Sequence, residues 1–79
     1  MLATERRQET VMKISARNVL KGKIVEVKKG ATTAHVLIDV DGTIITASIT
    51  NESVDDLKLV VGQSAYAVIK APDVMVGID

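Results

Sequence analysis

Apolar and polar side chains alternate with a period of two through most of this chain. Ala34, Val36, Ile38 and Val40 alternate with His35, Leu37, Asp39 and Asp41. Ile45, Ala47 and Ile49 alternate with Thr46, Ser48 and Thr50, and Ala65, Ala67 and Ile69 with Tyr66, Val68 and Lys70. Successive side chains of a strand leave on opposite faces, so this pattern specifies half-buried strands, and the abundance of Val, Ile and Thr agrees. Leu37 and Val68 make the second face partly apolar, as expected where both faces of a strand meet protein.

Turn signals divide the pattern. Lys29-Gly30 separates a first strand over about residues 19–28 from a second over about 32–40. Asp41-Gly42 is a two-residue hairpin signal leading into a third strand over about 43–49. The stretch 50–57, TNESVDDL, reads as one short helix that Thr50 or Asn51 can cap, with acidic residues early, where the helix dipole favours them. A fourth strand ends near Lys70, and Ala71-Pro72-Asp73 turns into a short fifth strand over 74–77. Five strands with a small helix between the third and fourth predict an all-β fold, a five-stranded OB-type Greek-key barrel. Residues 12–79 form that domain. Residues 1–11, polar and carrying Arg6 and Arg7, read as a tail outside it, a basic partner-binding arm being the alternative.

A single domain of 79 residues buries a modest core and needs help to be stable. Cysteine is absent, which excludes disulfides and thiolate zinc sites, and His35 is the one histidine. Hydrophobic residues nevertheless make up 47% of the chain, with Tyr66 the sole aromatic, and the mean hydropathy is +0.25. No run approaches the roughly 18–20 apolar residues of a membrane helix. The surplus of Val, Ile, Leu and Ala therefore points to subunit interfaces, hence to a homo-oligomer. Nothing at the N-terminus has the apolar stretch of a signal peptide, so the cytoplasm is the expected compartment and no membrane partner is expected.

No catalytic constellation is present, and no enzyme is expected. His35 has no cysteine or second histidine to work with, and Asp55 and Asp56, adjacent on a helix, diverge by about 100°. The five glycines stand singly, so no phosphate-cradling loop exists. No nucleic-acid partner is expected for an OB-type barrel with one aromatic side chain and ten acidic residues against ten basic. What remains is a set of hydrogen-bond donors suited to an anion. Ser15 and Arg17 are two residues apart, on one face if extended; Thr50 stands at a helix start; Lys70 precedes a turn with free backbone N–H groups.

The segments 12–18 (MKISARN), 23–25 (KIV), 47–50 (ASIT) with Ser53-Val54, and 66–71 (YAVIKA) with 73–75 (DVM) closely resemble the molbindins, the small molybdenum-pterin-binding proteins. The resemblance spans residues 12–79. The same module is the transport-associated OB domain of molybdate importer ATPases and molybdate-responsive regulators. It implies a five-stranded barrel assembled as a hexamer, a trimer of dimers, with molybdate or tungstate bound between subunits and no catalytic cofactor. It further implies an oxyanion site made by Ser15, Ala16 and Arg17 of one subunit with Thr50, Lys70 and Ala71 of its neighbour, Ala71 acting through its backbone N–H. Molybdenum would be held as the oxyanion, without direct metal ligands. The sequence departs from the family at Val19, often glutamine there, and at Pro72; neither change removes a donor. Storage, buffering or homeostasis of the oxyanion is the implied function. The alternative is a free-standing sensing domain acting on a transporter ATPase or transcription factor.

A tetrahedral dianion without a proton is best held by donors alone, and its burial is costly unless most oxygens are paired. Hydrogen phosphate needs an acceptor for its proton and is disfavoured by such a site. Sulfate must be rejected by size, and tungstate matches molybdate in both size and charge.

Overall fold

The computed structural model describes residues 15–79. The expected 1–11 tail and residues 12–14 lie outside the described residues. The elements are β1 (Asn18–Lys29), β2 (Thr33–Val40), β3 (Thr43–Thr50), α1 (Asn51–Leu57) and β4 (Ser64–Ile69), followed by a 3-10 turn at Ala71–Asp73. They form one antiparallel sheet in the order β3-β2-β1-β4, an OB-like, mostly-β arrangement.

β1 organises the sheet because it serves two partners in succession. From Asn18↔Ile69 to Lys23↔Ser64 it pairs with β4, and from Lys23↔Asp39 to Lys29↔Ala34 with β2. The handover is a bend. The register shifts between Ile24 and Glu26 and leaves Val25 unpaired with β2, a bulge that coils the strand. Gly22 allows the close approach, since a Cβ there would sit 2.5 Å from the Asp39 carbonyl oxygen.

The β2–β3 hairpin follows the Asp41-Gly42 signal. Both residues have positive φ, 51° and 91°, as the primed turns of twisted hairpins demand. The Gly42 N–H donates to the Asp39 carboxylate at 2.7 Å. Alternation then decides what is inside. Ala34, Val36 and Ile38 of β2 are buried, and they face Ile49, Ala47 and Ile45 of β3 across the ladder. Ile24, Ala67 and Val54 of α1 complete the buried core.

Thr50, not Asn51, caps α1: its hydroxyl oxygen accepts the Ser53 N–H at 3.0 Å. The helix stops at Lys58, whose left-handed backbone (φ 55°) sends its N–H back to the Asp55 and Val54 carbonyls.

The expected fifth strand is not formed, and the barrel is not closed: the described residues contain four strands in an open sheet. A strand exists only where a neighbour takes its hydrogen bonds, and residues 74–79 have no such neighbour among the described residues. Met75, Val76 and Ile78 are 92–94% exposed. The apolar face between the two sheet edges is left as a cleft of about 610 Å³, lined by Ile38, Ile45, Ile49, Leu59, Ala67 and Ile69 among others.

Candidate functional site

The cleft is not the place for an oxyanion. No charged side chain lines it, and an unpaired dianion among isoleucines would be heavily penalised. The candidate donors lie instead at strand ends, in two clusters.

The first cluster is built by the β1–β4 ladder. Ser15, Ala16 and Arg17 lead into Asn18, while Lys70 and Ala71 follow Ile69. Because Asn18 and Ile69 are the last pair of that ladder, Arg17 and Lys70 occupy the positions immediately beyond it. Two cationic residues thus follow the last rung of the ladder at one corner of one chain, and both are exposed. The Asn18 side-chain amide donates to the Ile69 carbonyl at 3.2 Å and ties the two arms together. Beyond Lys70 the chain makes its 3-10 turn, closed by the Asp73 N–H to the Lys70 carbonyl at 2.9 Å. Pro72 suits the first positions of that turn. The Ala71 N–H opens the turn and is not consumed by it.

The second cluster is the β3–α1 junction. Thr50 is exposed, and its hydroxyl lies 2.8 Å from the Ser53 hydroxyl. Ser53, whose hydroxyl accepts from Thr50, is a companion of Thr50 that sequence reasoning missed, although Thr-x-x-Ser across a helix start is the spacing at which a cap meets the third residue of its helix. Asn51 anchors the junction to the β1–β2 turn: its backbone N–H donates to the Thr32 carbonyl and its side-chain amide to the Gly30 carbonyl, both at 2.9 Å.

The two clusters are at opposite ends of β1. Thr50 pairs with Thr33, beside the Lys29↔Ala34 end, whereas Arg17 adjoins the Asn18 end. Twelve strand residues span roughly 36 Å if straight, and the bulge shortens that path. Lys70 therefore groups with Ser15, Ala16 and Arg17 in the same chain, not with Thr50. This intrachain placement is set by register, which sequence spacing does not reveal.

The remaining polar residues have ordinary roles. His35 is exposed on β2 between Lys28 and Ser48 of the flanking strands. Asp55 pairs with Lys29 at 2.6 Å, a surface contact with side chains 47% (Lys29) and 65% (Asp55) exposed. Among the described residues no group of three or more His, Asp or Glu side chains could hold a metal ion, and no helix is long and apolar enough to cross a membrane.

The open, mostly-β sheet with one short helix is an OB-like fold. The TOBE domain family model matches residues 14–76. A probable molybdenum-pterin-binding protein of Haemophilus influenzae is 48% identical over 69 residues, covering 86% of this chain and all of the relative. Among solved structures, a molybdate-binding protein from Sporomusa ovata superposes with a TM-score of 0.81 at 42% identity, over 85% of this chain and 100% of that one. The cytoplasmic molybdate-binding protein ModG superposes with a TM-score of 0.73 at 42% identity, over 80% of this chain and 45% of the longer ModG chain. The chain belongs to the TOBE domain family, among the molybdenum-pterin-binding proteins or molbindins.

Proposed function

We propose that this chain binds molybdate or tungstate as a homo-oligomer, stores or buffers it in the cytoplasm, and turns nothing over. The observation that carries the reading is the Arg17–Lys70 corner: two cationic residues that follow the last pair of the β1–β4 ladder. Like charges are placed together at a cost, and a shared dianion removes it. Ser15 and the N–H groups of Ala16 and Ala71 add donors at the same corner, and no carboxylate accepts a hydrogen bond or forms an ion pair there among the described residues. The similar proteins described above are molybdenum-pterin- or molybdate-binding, which supports the same reading.

One chain offers only half the donors at either end of β1. The site we propose joins Ser15, Ala16, Arg17, Lys70 and Ala71 of one subunit with Thr50 and Ser53 of another. Assembly is supported by the open sheet and by the apolar 74–78 stretch, whose missing pairing partner is supplied in this reading by the edge strands of a second subunit. That closes the five-stranded barrel, and a hexamer built as a trimer of dimers accommodates it.

Equilibrium dialysis against molybdate, tungstate, sulfate and phosphate tests the function. Molybdate and tungstate should bind comparably and displace each other, with phosphate at least tenfold weaker because its proton has no acceptor, about 1.4 kcal/mol. Equal binding of all four anions would refute a donor-only site. A stable monomer by sedimentation at micromolar concentration would refute the shared one.

A further inference from the structure

We propose that Asn18 is a positioning residue for the oxyanion site, holding the Arg17–Lys70 corner closed while no anion is present; this rests on the proposed binding function. Three observations meet at this residue. Asn18 is the terminal member of the β1–β4 ladder. Its side-chain amide reaches a carbonyl 51 residues away, that of Ile69, at 3.2 Å. Its chain neighbour is Arg17 and its bond partner's neighbour is Lys70.

A ladder end frays readily, and like charges at the two positions beyond this one favour its opening. An extra bond from side chain to backbone at the last pair opposes that push where it acts. The polarity of the bond is fixed by its partner. A carbonyl oxygen can only accept, so the Asn18 nitrogen must face Ile69. An aspartate or leucine of the same reach could not replace it. The amide carries no charge of its own, so it holds the corner without neutralising the field an incoming dianion responds to. The cations are thereby preorganised, and binding does not have to supply the ordering of two loose arms.

The test is the molybdate Kd of Asn18→Ala relative to wild type, measured by calorimetry on the assembled full-length chain across a salt series. A lost hydrogen bond that acts only on the fold weakens binding by a factor independent of salt. A lost clamp against charge repulsion does not, because repulsion is screened as the Debye length falls from about 10 Å at 0.1 M to about 3 Å at 1 M. The expected ratio is roughly fivefold to tenfold at low salt, shrinking by half or more at high salt. In an Arg17→Ala background the same change should have a ratio near one, since the repulsion is already gone. Gln63→Ala supplies the contrast, because it removes the 3.0 Å bond from the Val60 N–H at a loop away from both clusters. It should lower the melting temperature and leave the Kd unchanged at every salt concentration.

A salt-independent ratio, or an equal ratio in the Arg17→Ala background, overturns the positioning role. If Asn18→Ala alone fails to assemble, the Arg17→Ala/Asn18→Ala pair should assemble because the push is absent; failure of the pair also overturns it. If Arg17→Ala by itself leaves molybdate binding intact, the parent reading falls instead.

Discussion

Register sets Arg17 and Lys70 at one corner of one chain; in the proposed site they form one half, and mixing experiments between inactive subunits test that division directly. Arg17→Ala leaves Lys70 as the only side-chain cation facing a dianion. Truncating one partner of a desolvated charge pair costs roughly 2–5 kcal/mol, about thirtyfold to several thousandfold in Kd. The other half needs a change that spares the helix, because Thr50 also caps α1. Thr50→Asp meets that need: aspartate caps at least as well as threonine, while its carboxylate faces the bound oxyanion and repels it. Neither variant alone should retain sites of wild-type affinity. Unfolded together in equal amounts and reassembled, they should recover them. A site that draws its Arg17 half from a Thr50→Asp subunit and its Thr50 half from an Arg17→Ala subunit is intact, and random assortment makes about a quarter of all sites so. Arg17→Ala mixed with Lys70→Ala should recover none, because both lesions fall in one half. Equilibrium dialysis at molybdate concentrations near the wild-type Kd counts the tight sites, and native mass spectrometry verifies that the subunits have mixed. Recovery in the second mixture, or none in the first despite mixing, would refute the grouping of Arg17 with Lys70.

Three further outcomes follow from the fold. Lys58→Gly should raise stability by about 0.5–1 kcal/mol, because a side chain is held at φ 55° where glycine is unstrained; thermal melting of the assembled protein measures it. Gly22→Ala should destabilise by roughly 1–3 kcal/mol through overpacking, since the new methyl meets the Asp39 carbonyl at 2.5 Å and Ile38 at 2.8 Å; denaturant titration reports the change. Deleting residues 74–79 removes Val74, Met75, Val76 and Ile78 and should abolish assembly at micromolar concentration, as sedimentation velocity would show, whereas a chain beginning at Met12 should assemble and bind molybdate as the full chain does.

Much of this architecture is written in local pattern. The alternation of Ala34, Val36 and Ile38 names the buried face of β2 directly, because a strand's two faces are separated residue by residue. Asp41-Gly42 specifies its hairpin through backbone angles that few other pairs adopt without strain. The same reasoning is not matched at residues 74–77, where an apolar run has strand character but finds no pairing partner among the described residues. The site divided similarly. Arg17, Lys70, Ser15 and Thr50 were legible as donors from residue type and from their places at strand and helix ends. Which of them meet depends on the register of β1 against β4, and no local pattern encodes a pairing between residues 51 apart. Ser53 was hidden for another reason: as a helix residue it had a structural explanation already, and only its 2.8 Å distance from Thr50 marks it as a companion.

The double service of β1 has a kinetic consequence. Its pairing with β2 and the β2–β3 hairpin close short loops, through the turns at Gly30 and Asp41-Gly42. Its pairing with β4 must wait for the chain to return after β3 and α1, and loop-closure entropy makes such distant contacts late ones. β4 is thus expected to dock last, zipping from Lys23↔Ser64 outward to Asn18↔Ile69. The two cations meet at the far end of that final step, with repulsion working against the last rung. Pulsed hydrogen exchange during refolding should show amides of β2 and β3 protected before those of β4, and molybdate should slow unfolding more than it speeds folding. The capacity to hold an oxyanion would then be the last property this fold acquires and the first it loses.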